Sequence, residues 1–326
     1  MPTRPHFQKL VERVRLLPTL AAAVVFPCDQ ESLQLAMSGA FAGFIAPTLV
    51  RPEARIRDLA GKSGFDISRL PIIDTPDDPR VAGEHAARLA RSGEFGALVK
   101  GSLGIEALLA PVAAAESGLR SDRRLTHAYF LDLPGQNRGV LLADARMNVA
   151  PNLAAKRDIV HNTVLLAKAL GLDAPNVALL AAMDGPTPAF RSTTDAVALK
   201  AMAMQGLFPG VVVDGPLGPD SALSPNAARA RGVKSDVAGR ADILIGPSME
   251  SAIMVLRTLT GLTAGLAAGI VLGATIPIVA PARHESMEVR MASCVLASLL
   301  SASRSDDTAD SSQRLTVADT GTRVAA

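Results

Sequence analysis

Aromatic residues are scarce in this chain: among 326 residues there is no Trp, a single Tyr (Tyr129) and nine Phe. The core must therefore be built from Ala, Val, Leu and Ile, which suits parallel strands covered by helices on both faces. With 48% hydrophobic and 20% charged residues, the composition excludes disorder for most of the chain. The length is sufficient for one large or two ordinary domains.

An excess of charge of either sign is also missing. The formal net charge is +2, and no run of Lys and Arg is interleaved with aromatic residues, so we expect no nucleic-acid partner. The two cysteines, Cys28 and Cys294, lie far apart in sequence, which is typical of a reducing compartment rather than of a disulfide framework. Cys28 is interpreted as a small buried residue at a strand end.

No segment has the pattern of a signal peptide or of a convincing membrane span. Residues 1–18 carry five charged side chains and no apolar core, so we expect a cytoplasmic protein. The stretch Leu262 to Ala282 has no charge and is long enough to cross a membrane. Three glycines and two prolines interrupt it, however, and two short buried strands joined by a turn explain it better than a membrane partner does.

Apolar runs of strand length alternate with periodic segments of helix length. The predicted strands are Ala21–Phe26, Phe44–Val50, Leu70–Asp74, Gly96–Lys100, Ala128–Leu133, Gly139–Asp144, Val177–Ala182, Gly210–Asp214, Ile243–Gly246, Ala267–Leu272 and Ile276–Ala280. The predicted helices are Asp29–Gly43, Pro52–Gly64, Val81–Ser92, Asn152–Leu170, Thr194–Gln205, Ala222–Arg231, Met249–Thr260 and Glu285–Leu300. This alternation predicts a mostly parallel sheet, with one antiparallel pair at 128–144 across the turn 134–137.

Common cofactor and catalytic motifs are absent. No G-x-G-x-x-G follows the first strand, and neither a Walker A motif nor a G-x-S-x-G elbow occurs. The five histidines have no zinc-ligand spacing. We therefore expect no metal and no bound cofactor.

Polar residues do follow several predicted strands, where ligands bind in open α/β sheets. Lys100, Gly101 and Ser102 form either a phosphate cradle of backbone N–H groups or an ordinary turn with Ser102 as helix N-cap. Asp144 and Asp214 each end a strand, as a functional acid or as a turn-former, and the residue alone favours the turn-former.

Two charged residues near predicted helices complete the set of candidates. Glu250 lies in the first turn of a helix, where a carboxylate complements the helix dipole, and this structural role is favoured. Arg283 follows the strand Ile276–Ala280 and is the best isolated candidate for pairing with an anion.

Several stretches together resemble the phosphate acetyltransferase and phosphate butyryltransferase family, nearer its butyryltransferase branch. The resemblance runs from about Lys9 to Leu300. The most specific stretches are residues 144–148 (DARMN), 156–160 (KRDIV), 213–217 (VDGPL), 237–239 (VAG), 241–244 (ADIL), 269–274 (GIVLGA) and 277–279 (PIV). The resemblance rests on these stretches having the same order and spacing as in the family.

The resemblance implies an α/β fold of two three-layer domains around a cleft, similar to isocitrate and isopropylmalate dehydrogenases, in a homodimer. From the order of the predicted strands and the change in composition after residue 300, we expect residues 1–124 with 284–305 to form the first domain and 125–283 the second, before a mobile tail at 306–326. The resemblance also implies reversible acyl transfer between CoA and inorganic phosphate, with acyl-CoA as a substrate and an acyl phosphate as product. The acyl chain is not specified, because one apolar side chain more or less changes specificity only modestly.

The resemblance assigns roles to only a few residues. Arg283 matches an arginine that binds phosphate or polarises the carbonyl, and Lys100, Gly101 and Ser102 match the loop that opens the cleft. The matching cleft-side acids, to which no individual roles are given, are Asp144, Asp214, Asp220 and Glu250.

Departures from the family pattern remove polar or flexible groups. The positions concerned are Gly104 and Ile105 (typically His-Thr), Ala189 (typically Lys), Ala252 and Ile253 (typically Gly-Asn) and Ala282 (typically Ser). Arg191 lies two residues beyond Ala189 and is a candidate replacement for the lost cation.

Three hypotheses follow from this pattern. The first is an active phosphate acyltransferase, and the second is a family member that binds CoA or acyl phosphate without catalysis. The third, a dehydrogenase on a shared fold, is disfavoured because no metal-binding Asp cluster or nicotinamide motif is present.

Overall fold

The computed structural model describes the backbone of residues 4–321 and the side chains of residues 4–305. Its helices are α1 (Pro5–Val14), α2 (Gln30–Phe41), α3 (Glu53–Ser63), α4 (Pro79–Arg91), α5 (Ile105–Ala113), α6 (Leu153–Ala169), α7 (Arg191–Met204), α8 (Pro219–Leu223), α9 (Pro225–Ala230), α10 (Met249–Thr263) and α11 (Met287–Gly321). Its strands are β1 (Leu20–Val25), β2 (Ile45–Val50), β3 (Ile72–Ile73), β4 (Ala97–Lys100), β5 (Thr126–Asp132), β6 (Val140–Ala143), β7 (Asn176–Leu180), β8 (Val212–Leu217), β9 (Ile243–Ile245), β10 (Leu266–Leu272) and β11 (Ile278–Val279).

These strands form one continuous sheet in the order β3-β2-β1-β4-β11-β10-β5-β6-β9-β7-β8. Strands β1 to β4 and β11 run parallel. Strand β10 is antiparallel to both β11 and β5, and β5 is antiparallel to β6. Strands β9, β7 and β8 run parallel to β6. The carboxyl ends of the strands in the two halves therefore face opposite edges of the sheet.

The mixed α/β fold and the antiparallel β5–β6 hairpin confirm the prediction from sequence. Residues 262–282 contain β10 and β11, also as predicted, and no helix in the described part of the chain is long and apolar enough to cross a membrane. The two predicted domains do not have separate sheets, because β10 and β11 join β4 to β5. The domain boundaries themselves stay a prediction.

The side chains of β1 show how small and β-branched residues form this sheet. Ala22, Ala23, Val24 and Val25 are completely buried. Val24 packs into a core with residues of α6 and α11, whereas Ala23 and Val25 pack into another with α4 and α5. Both faces of the strand are thus covered by helices, as expected for apolar strands of this kind.

The apolar core is continuous on one face of the sheet and divided on the other. One cluster extends from α1 and α2 through α6 to α7 and α11. The opposite face has a cluster with α4 and α5 over the first half and a separate one with α8 and α10 over the second half. The division lies at the central strands, where Val271 of β10 and Ile278 of β11 belong to the first cluster and Tyr129 and Leu131 of β5 belong to the second.

Several element boundaries differ from the prediction. Ser102 is not a helix N-cap: α5 begins later, with Gly104 as N-cap. The predicted helix Ala222–Arg231 is two short helices, because Pro225 cannot donate the N–H that a continuous helix needs. Strand β8 continues to Leu217, three residues beyond the predicted end.

The last helix begins at Met287 and continues to Gly321, further than predicted. Ser298 Oγ donates to Phe44 O at 2.7 Å, which fixes α11 beside β2, and the helix also packs against α6. It therefore contacts both predicted domains. The side chains of the predicted mobile tail, 306–326, lie outside the described residues, and its mobility stays a prediction.

Candidate functional site

Three loops border the divided face of the sheet. The first (residues 100–104) follows β4 and the third (280–286) follows β11 at one edge, the second (144–148) follows β6 at the opposite edge, and we name the space between them the cleft. Arg146 Nη1 donates to Ala280 O at 3.3 Å, which joins the second loop to the third although 134 positions separate the two residues. Residues far apart in sequence are thereby brought to one site.

Lys100 ends β4 and is buried beneath the first loop. Its Nζ donates to the carbonyl oxygens of Gly101 (3.0 Å) and Leu103 (3.3 Å). An ammonium group has three N–H donors, so one remains for a ligand.

The next two residues of this loop join β4 to β1. Gly101 N donates to Val25 O, and Ser102 N donates to Phe26 O, both at 2.9 Å. Ser102 Oγ donates to Phe26 O (2.9 Å) and accepts from Cys28 N (3.0 Å). A Cβ at Gly101 would lie 2.5 Å from Phe26 O, so only glycine allows this approach. The N–H groups of the predicted cradle are thus already donated within the chain.

Asp144 folds the second loop. Its Oδ1 accepts from the backbone N–H groups of Arg146 and Met147, both at 2.9 Å, and its Oδ2 accepts from Asn148 Nδ2. Burial raises the pKa of Asp144, and the hydrogen bonds from Arg146 and Met147 oppose the rise. These contacts are those of a turn-former, and they fix the backbone from which the Arg146 side chain extends.

The third loop carries Arg283 and is held from both ends. Arg290 is buried in α11, and its guanidinium donates to the carbonyl oxygens of Ala282 (3.3 Å), Arg283 (3.1 Å) and Glu285 (3.0 Å). Glu285 Oε2 accepts from Ala282 N at 3.0 Å. The Arg283 side chain is exposed, whereas the backbone of residues 282–285 is held by these four bonds, one of them to Arg283 O.

Two neutral rings form the floor of the cleft. The rings of His127 and Tyr129 lie 4.7 Å apart, and Tyr129 OH donates to Glu285 Oε1 at 3.3 Å. Burial, with a smaller effect of Arg146, lowers the pKa of His127 to about 3. Burial raises the pKa of Tyr129 above its usual value; Glu285 adds to the rise and Arg146 opposes it. Both rings are therefore uncharged at neutral pH.

Positive charge dominates the cleft. Among the described residues, Lys100, Arg146 and Arg283 form no ion pair within 4.0 Å. Burial lowers the pKa of Lys100; Asp29 opposes this effect, and Arg290, Arg283 and Arg146 lower the pKa further. Cations that are close together and unpaired favour an anionic ligand.

Two of the other predicted acids lie away from these three loops. Asp214 is in β8, the last strand of the sheet, and its Oδ1 is 2.6 Å from Lys200 Nζ. Asp220 is in α8 and pairs with Arg231 at 2.8 Å. Glu250 is exposed in the first turn of α10, which begins beside the second loop, because Met249 N donates to Val149 O at 3.1 Å. The structure thus places Lys100, Asp144, Arg283 and Glu250 on or beside the loops, but not Asp214 and Asp220.

The structure also locates the departures from the family pattern. Gly104 caps α5 without a side-chain hydrogen bond, and Ile105 begins that helix. Ala252 is buried in α10 beside the half-buried Ile253, and Ala282 contributes only backbone groups to the cleft. Ala189 is exposed, and Arg191 Nε lies 3.7 Å from Asp195 Oδ2 at the start of α7.

Two grooves adjoin the cleft. One of about 830 Å³ lies between α4 and α5, reaches Gly104, and is lined by three arginines and three glutamates: Arg80, Arg88, Arg91, Glu84, Glu106 and Glu116. Another of about 590 Å³ is lined by Met147 and Asn148 of the second loop and by Arg120, Arg123 and Arg124 against Asp122 and Asp158. The second groove therefore has the excess of positive charge.

Sequence reasoning missed Arg146, Tyr129, Glu285 and Arg290 as site residues. Arg146 directly follows a strand end marked by Asp144, a position where it could have been found. The other three are recognisable only from contacts between distant segments. The described residues contain no cluster of His, Cys, Asp or Glu that could hold a metal ion.

The sequence and the fold of this chain are both similar to those of known proteins. Residues 78–298 match the sequence profile of the family described as phosphate acetyl/butaryl transferase. The chain is 41% identical to a phosphate acetyltransferase of Rhizobium meliloti, over 93% of this chain and 96% of the relative. It is 32% identical to a phosphate butyryltransferase of Clostridium beijerinckii, over 91% and 98%. Its fold is similar to that of a Streptococcus pyogenes phosphotransacetylase (TM-score 0.77, 20% identity, 92% and 99% covered).

Proposed function

Because this chain belongs to the phosphate acetyl/butyryl transferase family, we propose that it transfers a short acyl group reversibly between CoA and inorganic phosphate. The observation that carries the proposal is the convergence of Lys100, Arg146 and Arg283 without ion pairs over an uncharged floor. Such a site binds an anion and stabilises negative charge that develops beside it.

In the proposed reaction, an oxygen of bound phosphate attacks the carbonyl carbon of the acyl-CoA thioester. The C–O bond forms, the C–S bond breaks, and the CoA thiolate leaves and takes up a proton from solvent, while the phosphate group gives up its proton to solvent as the acyl phosphate forms. Lys100, with its one remaining donor, and Arg283 would stabilise the oxyanion and orient the phosphate. In reverse, the CoA thiolate attacks the carbonyl carbon of the acyl phosphate and phosphate leaves.

The polyanionic end of CoA is assigned to the groove beside Met147 and Asn148. CoA carries several phosphate charges, and this groove has more arginines than carboxylates. Arg120 and Arg124 are exposed there, whereas in the groove between α4 and α5 arginines and glutamates balance. Phosphate recognition by arginine therefore favours the first groove.

Further parts of the proposal rest on the family resemblance. They are a homodimeric, cytoplasmic enzyme without a bound cofactor, an acyl phosphate product, and an isocitrate dehydrogenase-like arrangement. The proposed domains, at 1–124 plus 284–305 and at 125–283, rest on the order of the strands along the chain. The remaining candidate residues are proposed to shape or flank the cleft rather than to react; they are Gly101, Ser102, Asp144, Asp214, Asp220 and Glu250.

The alternative is a protein that binds acyl-CoA without turnover. It is favoured by Gly104, Ala252 and Ala282, which supply no side-chain donors where the family typically has polar or flexible residues. Losing one donor to a developing oxyanion costs roughly 2–4 kcal/mol of transition-state stabilisation.

A thiol-release assay distinguishes the two. Purified protein is incubated with acetyl-CoA, propionyl-CoA or butyryl-CoA, with and without phosphate. Phosphate-dependent CoA release is expected, and Arg283→Ala is expected to lower kcat/KM by about 10²-fold to 10³-fold, as for loss of one oxyanion donor. Arg257→Gln is the matched control, because Arg257 is exposed on α10 away from the three loops.

A different result of the same assay would reject catalysis. No release with any thioester, from a protein that acyl-CoA still stabilises against heat, would support the binding protein.

A further inference from the structure

The second loop presents an arginine from a rigid base. The carboxylate of Asp144 is 2% exposed and accepts the backbone N–H groups of Arg146 and Met147. Asn148 Nδ2 bonds to the same carboxylate and also to Leu125 O at 2.9 Å. The backbone of Arg146 is therefore fixed to β5 and β6, and its side chain extends across the cleft from there.

That side chain keeps donors available for a ligand. A guanidinium has five N–H donors, and Arg146 uses them in a long bond to Ala280 O, at 3.3 Å, and in an interaction with the Tyr129 hydroxyl. No carboxylate in the described part of the chain forms an ion pair with it. By contrast, the guanidinium of Arg290 is occupied by three carbonyl oxygens and is committed to holding the third loop.

Arg146 also lies opposite the proposed phosphate-binding group. The bond to Ala280 O brings its guanidinium to the start of the loop that presents Arg283. Between them, Ala282 offers no side-chain donor and its backbone N–H is taken by Glu285. Two arginines thus approach the same space from the two halves of the sheet.

We propose that Arg146 is a second phosphate-binding residue, which acts with Arg283 to hold the phosphate that accepts or donates the acyl group; this inference rests on the proposed function. Each planar guanidinium can donate two parallel hydrogen bonds to phosphate oxygens. With the non-reacting oxygens held from both sides, the remaining oxygen faces the thioester carbonyl carbon.

The test compares Arg146→Gln, Arg146→Lys and the control Arg257→Gln with the wild-type chain in steady-state CoA release. The expected result for Arg146→Gln is a KM for phosphate that rises about 10-fold to 100-fold, as for loss of a hydrogen bond to a charged group. The KM for acyl-CoA is expected to stay within about twofold. The KM for phosphate of Arg146→Lys should lie between those of the wild-type chain and Arg146→Gln, because lysine keeps the charge and loses the paired donors.

Phosphate-induced thermal stabilisation gives a second readout that does not need turnover. Arg146→Gln is expected to lose most of this shift while Arg257→Gln keeps it. An unchanged phosphate KM and an unchanged thermal shift in a folded Arg146→Gln or Arg146→Lys protein would overturn the role of Arg146 alone. A wild-type chain that neither releases CoA nor is stabilised by phosphate would overturn the proposed function together with it.

Discussion

At the residue scale, a single glycine makes room for the floor of the cleft. A Cβ on Gly269, in β10, would lie 2.7 Å from His127 Cε1 and 2.8 Å from Tyr129 Cε1. Both contacts are too short for real atoms, so the rings would have to move. Since Tyr129 bonds to Glu285, and Glu285 holds the backbone of the Arg283 loop, the displacement would reach the cleft.

We therefore expect Gly269→Ala to lower the free energy of unfolding by about 1–3 kcal/mol through overpacking, and to lower activity as well. Urea unfolding and CoA release would measure the two effects. The control is Gly261→Ala in α10, where an added Cβ meets nothing within 4 Å and helix propensity favours alanine. Equal stability of the two variants would contradict the steric argument.

The second prediction concerns His127 and the pH dependence of stability. Its pKa is about 3 in the folded protein and 6.5 in an unfolded chain. Between these values the unfolded chain binds a proton that the folded protein does not, so stability falls as pH falls below 6.5. At pH 4.5 the loss from this one group would be about 3 kcal/mol relative to pH 7.

Replacing His127 with Phe removes the titrating group and keeps a buried ring. The expected outcome is a smaller difference in unfolding free energy between pH 7 and pH 4.5, by roughly the amount that His127 contributes. The exposed His284, changed to Gln, is the control. If the free energy of unfolding had the same pH dependence in wild type and His127→Phe, the ring would have to take up a proton in the folded protein as readily as in the unfolded chain.

At the scale of elements, one hydroxyl adds two side-chain hydrogen bonds to the backbone bonds that join the ends of β1 and β4. Ser102 Oγ donates to Phe26 O and accepts from Cys28 N, and it thereby ties the ends of the two strands together. Burial raises the pKa of the neighbouring Cys28 thiol, while its hydrogen bond with Ser102 and the charge of Arg51 oppose the rise. The Ser102 hydroxyl therefore has a structural role that does not depend on a ligand.

Ser102→Ala should accordingly lower the free energy of unfolding by about 1–2 kcal/mol, because it removes the two hydrogen bonds of the hydroxyl, while Cys28 N keeps its bond to Phe26 O. The phosphate KM should change less than in Arg283→Ala. Thr258→Ala, at an exposed position on α10, is the control for stability. A phosphate KM raised as much as in Arg283→Ala, with unchanged stability, would instead restore the predicted phosphate cradle.

Strand and helix order could largely be predicted from sequence, since it depends on local apolar patterns. The predicted strands Ala21–Phe26, Gly96–Lys100, Ala128–Leu133 and Ala267–Leu272 are buried runs between turn residues, and each corresponds to an observed strand within two residues at either end. The site was predicted only in part, because its decisive bonds join distant positions. Tyr129 and Glu285 are 156 residues apart, and no local pattern reveals that they meet.

At the scale of the whole molecule, the cleft exists because one face of the sheet carries two cores rather than one. Helices α4 and α5 cover the first half, and α8 and α10 cover the second. The opposite face is packed without interruption by α6 and α11. The loops are therefore supported from below by a continuous core while remaining open above, which combines a rigid base with ligand access.

The strand order has a consequence for the synthesis of the chain. Strands β11 and β10, which separate β4 from β5, come from residues 266–279, after nine other strands have been made. Until they emerge from the ribosome, the facing edges of β4 and β5 have no partner, and unpaired edges promote aggregation. A nascent chain stalled before residue 266 would therefore depend on chaperones, and the three loops of the cleft could meet only in the last stage of folding.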